Sequence, residues 1–293
     1  MQLLDGKLLS SLIREELKQE VMQLTKKEIR APHLSAILVG ELGPSSTYVN
    51  NKIKACHEVG FASSLYKYPE NVSEQVLLDK VKELNENDDI DGFIVQLPLP
   101  AHINVEKIIE AIDPAKDADG FHPINLGKMA KNLPALVSAT PKGIMEMLKY
   151  YQIETAGKHC VVLGRSQIVG LPVSILLGRK SYPGDCTVTL AHSKTKNIAG
   201  ITQQADILIA AIGSPHFIKE DMVKEGAVII DVGTNSIPDP GKKSGYRLTG
   251  DVDFERVAPK CSAISPVPGG VGLMTIAALL QNTMQAAKER RKF

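Results

Sequence analysis

Apolar residues open the chain at helical spacing. Leu8, Leu9, Leu12, Ile13, Leu17, Val21 and Leu24 fall on one stripe and predict a helix over residues 8–24. The pattern then changes to an unbroken apolar run, "LSAILVG" (34–40), which reads as a buried strand ending in the polar glycine loop "ELGPSS". A second helix is expected from about Thr47 to Val59. "FASSLYKY" (61–68) predicts a strand, "SEQVLLDKVKELNEN" (73–87) a helix, and "GFIVQLPLP" (92–100) a strand halted by prolines. "VEKIIEAI" (105–112) is a short helix before the loop "DPAKDADGFHP". Strands alternating with helices at this spacing imply a mainly parallel sheet covered on both faces.

Residues 128–141 are irregular and contain proline, which marks a domain boundary. "PKGIMEMLKYY" (141–151) then predicts a helix with proline in its first turn. The alternation restarts with apolar runs at 160–163, 186–190, 206–210 and 227–231, each expected as a central strand buried on both faces. "CSAISPVPGG" (261–270) follows, and the last helix is expected from Met274 to about Arg290, amphipathic with a basic end. The fold class is therefore α/β, in two domains.

Composition narrows the partners more than the fold. With 293 residues and 43% hydrophobic content, two domains can each bury a core. The net charge of +1, with acids and bases intermixed, gives no field that selects nucleic acid or an anionic membrane. Absence of Trp and a 4% aromatic fraction argue against base-stacking or sugar platforms. Cys56, Cys160, Cys186 and Cys261 are scattered, with no C-x-x-C pair or Cys/His cluster, so no metal site is expected. The N-terminus carries acids and a helical period where a signal peptide would carry an apolar core, and no apolar run approaches membrane-span length. A cytoplasmic protein is expected.

"LGRSQIVGLP" (163–172) joins a strand to a helix through Gly164 and Gly170, but Ser166 stands where the G-x-G-x-x-G fingerprint has its middle glycine. A hydroxyl at that place can donate to a phosphate oxygen, so a dinucleotide site and a plain turn both remain open. A nucleophile elbow needs G-x-S-x-G, and Ile168 stands at its last glycine. The following strand ends in His192, Ser193 and Lys194, where an NAD site usually carries an acid for the ribose 2′-hydroxyl. With Arg165 nearby, that end suits a 2′-phosphate and favours NADP.

In the first half, Tyr48 and Lys52 stand four apart on one helical face, a plausible acid/base pair if burial lowers the lysine pKa and otherwise a surface pair. Gln96 closes a strand at the end where α/β sheets place ligands, and Asp117 and Asp119 occupy a glycine loop. Taken in order, "STYVNNKIKACHEVGF", "DGFIVQLPLP", "KDADGFHPINLGK", "ATPKGI", "LGRSQIVGLP", "VIIDVGTN", "GDVDF" and "PVPGGVG" span nearly the whole chain. The set closely resembles the bifunctional methylenetetrahydrofolate dehydrogenase/methenyltetrahydrofolate cyclohydrolase (FolD) family.

That resemblance implies an N-terminal three-layer α/β catalytic domain and a Rossmann-like NADP-binding domain, with tetrahydrofolate substrate in the cleft between them. The final helix would return to the first domain, giving 1–140 with 273–293 as the folate domain and 141–272 as the nucleotide domain. A homodimer through the nucleotide domain is implied as well. By the same similarity Tyr48, Lys52, Gln96 and Asp119 line the folate site with Pro268 close by, and Gly164, Arg165, Ser166, Ser193 and Thr234 bind the nucleotide. Lys52 is expected to move protons in the hydrolysis, with Gln96 fixing its amine, Tyr48 orienting lysine and substrate, and Asp119 accepting from the pterin N–H edge.

Four places depart from the family pattern: Leu273 after "PVPGGVG", Ser138-Ala139 before "TP", Thr234 for a frequent isoleucine, and a longer 178–186 connection. None touches Tyr48, Lys52, Gln96 or Asp119, so both activities are expected. The alternatives are a monofunctional dehydrogenase, NAD-preferring or not, and a nucleotide- and folate-binding protein without turnover.

Overall fold

The computed structural model describes residues 1–40, 43–241 and 245–293, with side chains omitted at 43–45. The elements in chain order are β1 (Gln2–Leu3), α1 (Gly6–Lys26), β2 (His33–Val39), α2 (Gly43–Val59), β3 (Ala62–Tyr68), α3 (Glu74–Glu86), β4 (Gly92–Val95), α4 (Val105–Ala111) and α5 (Pro123–Ala130). They continue with α6 (Ala139–Tyr150), β5 (His159–Leu163), α7 (Gly170–Gly178), β6 (Thr187–Ala191), α8 (Ile198–Thr202), β7 (Ile207–Ala210), β8 (Val228–Asp231), β9 (Asn235–Pro238), β10 (Tyr246–Thr249), α9 (Phe254–Val257), β11 (Ala263–Ile264) and α10 (Val271–Arg291). Of the polar loop expected at "ELGPSS", Glu41 and Leu42 lie outside the described residues, and from Gly43 the backbone is already helical.

The chain divides into two compact units, Ser11–Ala139 with Ile276–Phe293 and Met1–Ser10 with Thr140–Thr275. The first ten residues cluster with the second unit. The reason is a strand: β1 pairs parallel with β11, through Gln2↔Ala263 and Leu3↔Ile264.

In the first unit β2 lies between β3 and β4, all parallel. Six of the seven β2 residues are buried, so both faces are covered, as in a three-layer unit. On one face Ile37 and Val39 pack with Leu77, Val81 and Leu84 of α3 and with Phe93 of β4. Ser73 caps α3 by accepting from the Val76 N–H. The α1 stripe is narrower than expected: Leu9, Ile13, Leu17, Val21 and Leu24 are buried, while Leu8 and Leu12 are 48% and 40% exposed. Those two positions sit about 100° round the helix from the buried row. The basic end of α10 docks in this unit, with Arg290 donating to the Ile90 carbonyl and Arg291 lying 3.2 Å from the buried Asp91.

The second unit holds a six-stranded parallel sheet in the order β1-β11-β8-β7-β5-β6. From β5 the chain moves to β6 on one side and to β7 on the other, which makes β5/β7 the switch point of a doubly wound sheet. Strands β7 and β8 are buried throughout, but β6 is partly exposed. Its run of Val and Thr looked central, yet it forms the sheet's edge. The hairpin β9–β10 stands apart as an antiparallel pair.

Candidate active site

In α2 the residues facing the core are Val49, Ala55, Cys56 and Val59, and Lys52 occupies the same row at only 7% exposure. An ammonium there loses water that only polar partners can replace. Two converge on it. Gln96, one residue past β4, accepts from Lys52 Nζ at 3.1 Å, while its own amide nitrogen donates to the Leu97 carbonyl at 2.8 Å. That second bond fixes which end of the amide faces the lysine. The Asp119 carboxylate stands 3.7 Å from Lys52 Nζ.

Asp119 is held by the loop that carries it. Asp117, itself buried, accepts from the N–H groups of Gly120, Phe121 and His122 and from Asn125 Nδ2 at 2.9 Å. Gly120 has φ of 72°, and a Cβ there would come within 2.5 Å of the Val137–Ser138 backbone, so only glycine fits. From α10, Asn282 donates to the Ala118 and Val137 carbonyls at 2.9 and 2.8 Å. Burial pushes the Asp119 carboxyl above the usual carboxylate range; Lys52 pulls it down and Asp117 pushes it further up. Tyr48 lies one turn before Lys52 on α2 and is exposed. Lys52, Gln96 and Asp119 are therefore in contact, with Tyr48 on the same helix. Pro268 belongs to the other unit, where it borders a concavity of about 680 Å3 at the carboxyl ends of β8 and β11, lined also by His216, Asp231 and Thr249.

The nucleotide turn is built from close backbone approaches. Gly164 has φ of 124°, and a Cβ on it would strike the Ala211 carbonyl oxygen at 2.1 Å. A Cβ on Gly170 would lie 1.9 Å from the Gly164 oxygen, so this glycine lets α7 start hard against β5. Ser166 Oγ accepts from the N–H groups of Val169 and Gly170, at 3.2 and 3.3 Å. Its proton is left to donate, at a helix N-terminus suited to a phosphate. Arg165 and Ser166 are exposed, as are Ser193 and Lys194 after β6. The turn after β6 is ordered by His192, whose N–H donates to Thr195 Oγ1 and whose Nδ1 accepts from the Lys194 N–H. This donor set, cationic and without an acid at the end of β6, fits a dinucleotide carrying a 2′-phosphate. Thr234, after β8, is exposed on the same sheet end.

Two matches cover the chain: "Tetrahydrofolate dehydrogenase/cyclohydrolase, catalytic domain" over residues 4–119 and "Tetrahydrofolate dehydrogenase/cyclohydrolase, NAD(P)-binding domain" over residues 138–291. The chain belongs to the tetrahydrofolate dehydrogenase/cyclohydrolase family. It is 59% identical to the "Bifunctional protein FolD" of Bacteroides thetaiotaomicron over 289 residues, 99% of each chain. Among solved structures it is similar to the bifunctional FolD methylenetetrahydrofolate dehydrogenase/cyclohydrolase of Campylobacter jejuni, at 46% identity and a TM-score of 0.92 over 99% of both chains. The Trypanosoma brucei enzyme, solved with NADP cofactor and an inhibitor, is 39% identical with a TM-score of 0.94, covering 99% of this chain and 98% of that one.

Sequence reasoning did not single out four buried polar residues that organise these sites: Asn282, Lys116, Asp231 and Asp251. Lys116 Nζ donates to the carbonyls of Leu84, Asn85 and Asn87 at the end of α3, and burial lowers its pKa to about 8. A lysine or asparagine in a polar stretch carries no mark of burial, whereas Asp231 did: it closes an otherwise apolar strand. All four cysteines are free and buried, and burial raises the Cys56 thiol to about 12. Among the described residues no group of three or more His, Cys, Asp or Glu is arranged to hold a metal ion, and no helix is long and apolar enough to cross a membrane.

Proposed function

We propose that Lys52, held by Gln96 and Asp119, carries the proton transfers of the cyclohydrolase step, and that Gly164, Arg165, Ser166, Ser193 and Thr234 hold the nucleotide of the dehydrogenase step. The chain is a bifunctional folate enzyme. It oxidises 5,10-methylenetetrahydrofolate to the 5,10-methenyl form with NADP and hydrolyses that product to 10-formyltetrahydrofolate. The observation that carries the residue assignment is a lysine on the apolar row of a helix, 3.1 Å from Gln96 Oε1 and 3.7 Å from an Asp119 oxygen.

The chemistry suits these groups. The methylene carbon lies between two nitrogens, whose lone pairs stabilise the cation left when hydride departs. When bound, NADP accepts that hydride, and the protein's task is to align the two. Hydrolysis asks more of side chains. Water attacks the methenyl carbon, one of its protons passes to the neutral form of the Lys52 amine, and the ammonium so formed protonates the ring nitrogen as the C–N bond opens. The remaining hydroxyl proton leaves to solvent as the formyl C=O forms, so one proton is released overall. Gln96 Oε1 holds the amine in place, and Asp119 accepts from the pterin N–H edge, where substrate donors favour its ionised form. Tyr48, one turn away, orients lysine and substrate. Arg165 pairs with the 2′-phosphate.

The assembly is a homodimer through the nucleotide unit, in the cytoplasm. The hairpin β9–β10 supports that surface, because it exposes Tyr246 and Leu248 at 42% and 41%. Parallel assays test the function: methylene oxidation with NADP and with NAD, and methenyl hydrolysis without nucleotide. All three rates are read on one preparation. Oxidation favouring NADP together with hydrolysis is the expected result; oxidation without hydrolysis would leave a monofunctional dehydrogenase.

A further inference from the structure

Apart from Thr234, the motifs "VIIDVGTN" and "GDVDF" find no role in the reaction above, and both end in the same buried place. Asp251 is fully buried and Asp231 nearly so. Asp251 Oδ2 accepts from the N–H groups of Ile212 and Gly213 at 2.8 and 3.0 Å, and Oδ1 from the Ser214 N–H at 2.8 Å. Three successive N–H groups of the loop after β7 thus close round one carboxylate, as round an anion in a nest. Oδ1 also accepts from Asn235 Nδ2 at 2.9 Å. Asp231 Oδ1 accepts from the N–H groups of Gly233 and Asp251 at 3.0 and 2.9 Å, and Oδ2 from the Val252 N–H at 3.0 Å.

The glycines of both motifs serve this pair. A Cβ on Gly250 would lie 1.8 Å from Asp231 Oδ2, and one on Gly233 2.4 Å from Asp251 Oδ1. The spacing D-x-G in one motif and G-D in the other is therefore the space each carboxylate needs. Thr234 sits between the two anchors: its neighbour Gly233 is tied to Asp231, its neighbour Asn235 to Asp251, and its own side chain is exposed. In a doubly wound sheet the pyrophosphate lies at the turn after the first strand, here β5, and the two halves of the dinucleotide run to either side. With the 2′-phosphate donors after β6, the loops after β7 and β8 face the nicotinamide half.

We infer that Asp231 and Asp251 are positioning residues for hydride transfer: buried carboxylates that lock the 212–214 and 233–235 loops, and Thr234 between them, where the nicotinamide half of the dinucleotide lies. The inference rests on the nucleotide reading given above. Burial raises Asp231 to about 7, its backbone N–H partners lower it, and the Asp251 charge pushes it up again. Two acids so close are a costly way to hold a loop, which separates them from ordinary turn residues.

Asn235→Ala removes one anchor without placing a donor against the nest, and Asp251→Asn does place one. Both are measured alongside Thr234→Ala for dehydrogenase kcat, the primary deuterium isotope effect with methylene-deuterated substrate, calorimetric NADP affinity, nucleotide-free cyclohydrolase rate and thermal midpoint. Asn235→Ala is expected to lower dehydrogenase kcat about tenfold, raise the isotope effect, and leave the cyclohydrolase rate within about twofold. Asp251→Asn does the same more strongly if it folds. An unchanged dehydrogenase in Asn235→Ala, or a fall of both activities in step with the thermal midpoint, overturns the positioning role. A loss in Asn235→Ala with none in Thr234→Ala supports the positioning role and removes Thr234 from the nucleotide contacts.

Discussion

Lys52 shows what a single residue can disclose. Its place on the apolar row of α2, beside Val49 and Cys56, costs desolvation that a surface lysine avoids, and Gln96 and Asp119 offset it. That row was readable in the sequence, because Lys52 stands between apolar positions three and four residues away. The contacts were not, since Gln96 and Asp119 come from segments 44 and 67 positions further on. In the proposed nucleotide site cofactor choice turns on Arg165, which is exposed at the turn after β5, with no acid following β6. Arg165→Ala should raise the KM for NADP about tenfold and change that for NAD less than about twofold. Steady-state titration with each nucleotide checks it; equal losses would remove the 2′-phosphate role.

At the scale of elements, apolar runs located β2, β4, β5, β7 and β8, because a strand covered on both faces needs apolar residues throughout. Short polar elements escaped. The helix α5, the hairpin β9–β10 and the two-residue β1 have no periodicity long enough to register, and their pairing is long-range or tertiary. The last helix was legible, but its work was not. Asn282 of α10 donates to the carbonyl of Ala118, next to Asp119, and to that of Val137 in the segment before α6. Asn282→Ala leaves one buried and one half-buried carbonyl without those bonds, at about 2–3 kcal/mol. Urea unfolding should show that loss, together with a lower cyclohydrolase rate; full retention of both would detach the helix from the site.

For the whole molecule, order of motifs mattered more than any one of them. "LGRSQIVGLP" alone left a plain turn open, while eight segments in sequence pointed to one family over nearly the full length. The proposed homodimer can be tested at the hairpin. Leu248→Lys places a charge on the hairpin face, where burial against a second copy would be costly. Light scattering should then show monomer where the wild type shows dimer, and an unchanged dimer would move the interface elsewhere. In the proposed mechanism hydrolysis depends on the buried amine while hydride transfer depends on the nucleotide unit. Lys52→Met, of similar length and without the amine, tests it most directly when methenyl hydrolysis is measured on the folded variant with NADP affinity as control. Hydrolysis abolished with NADP bound as in the wild type is the expected result. Full hydrolysis by Lys52→Met would contradict it.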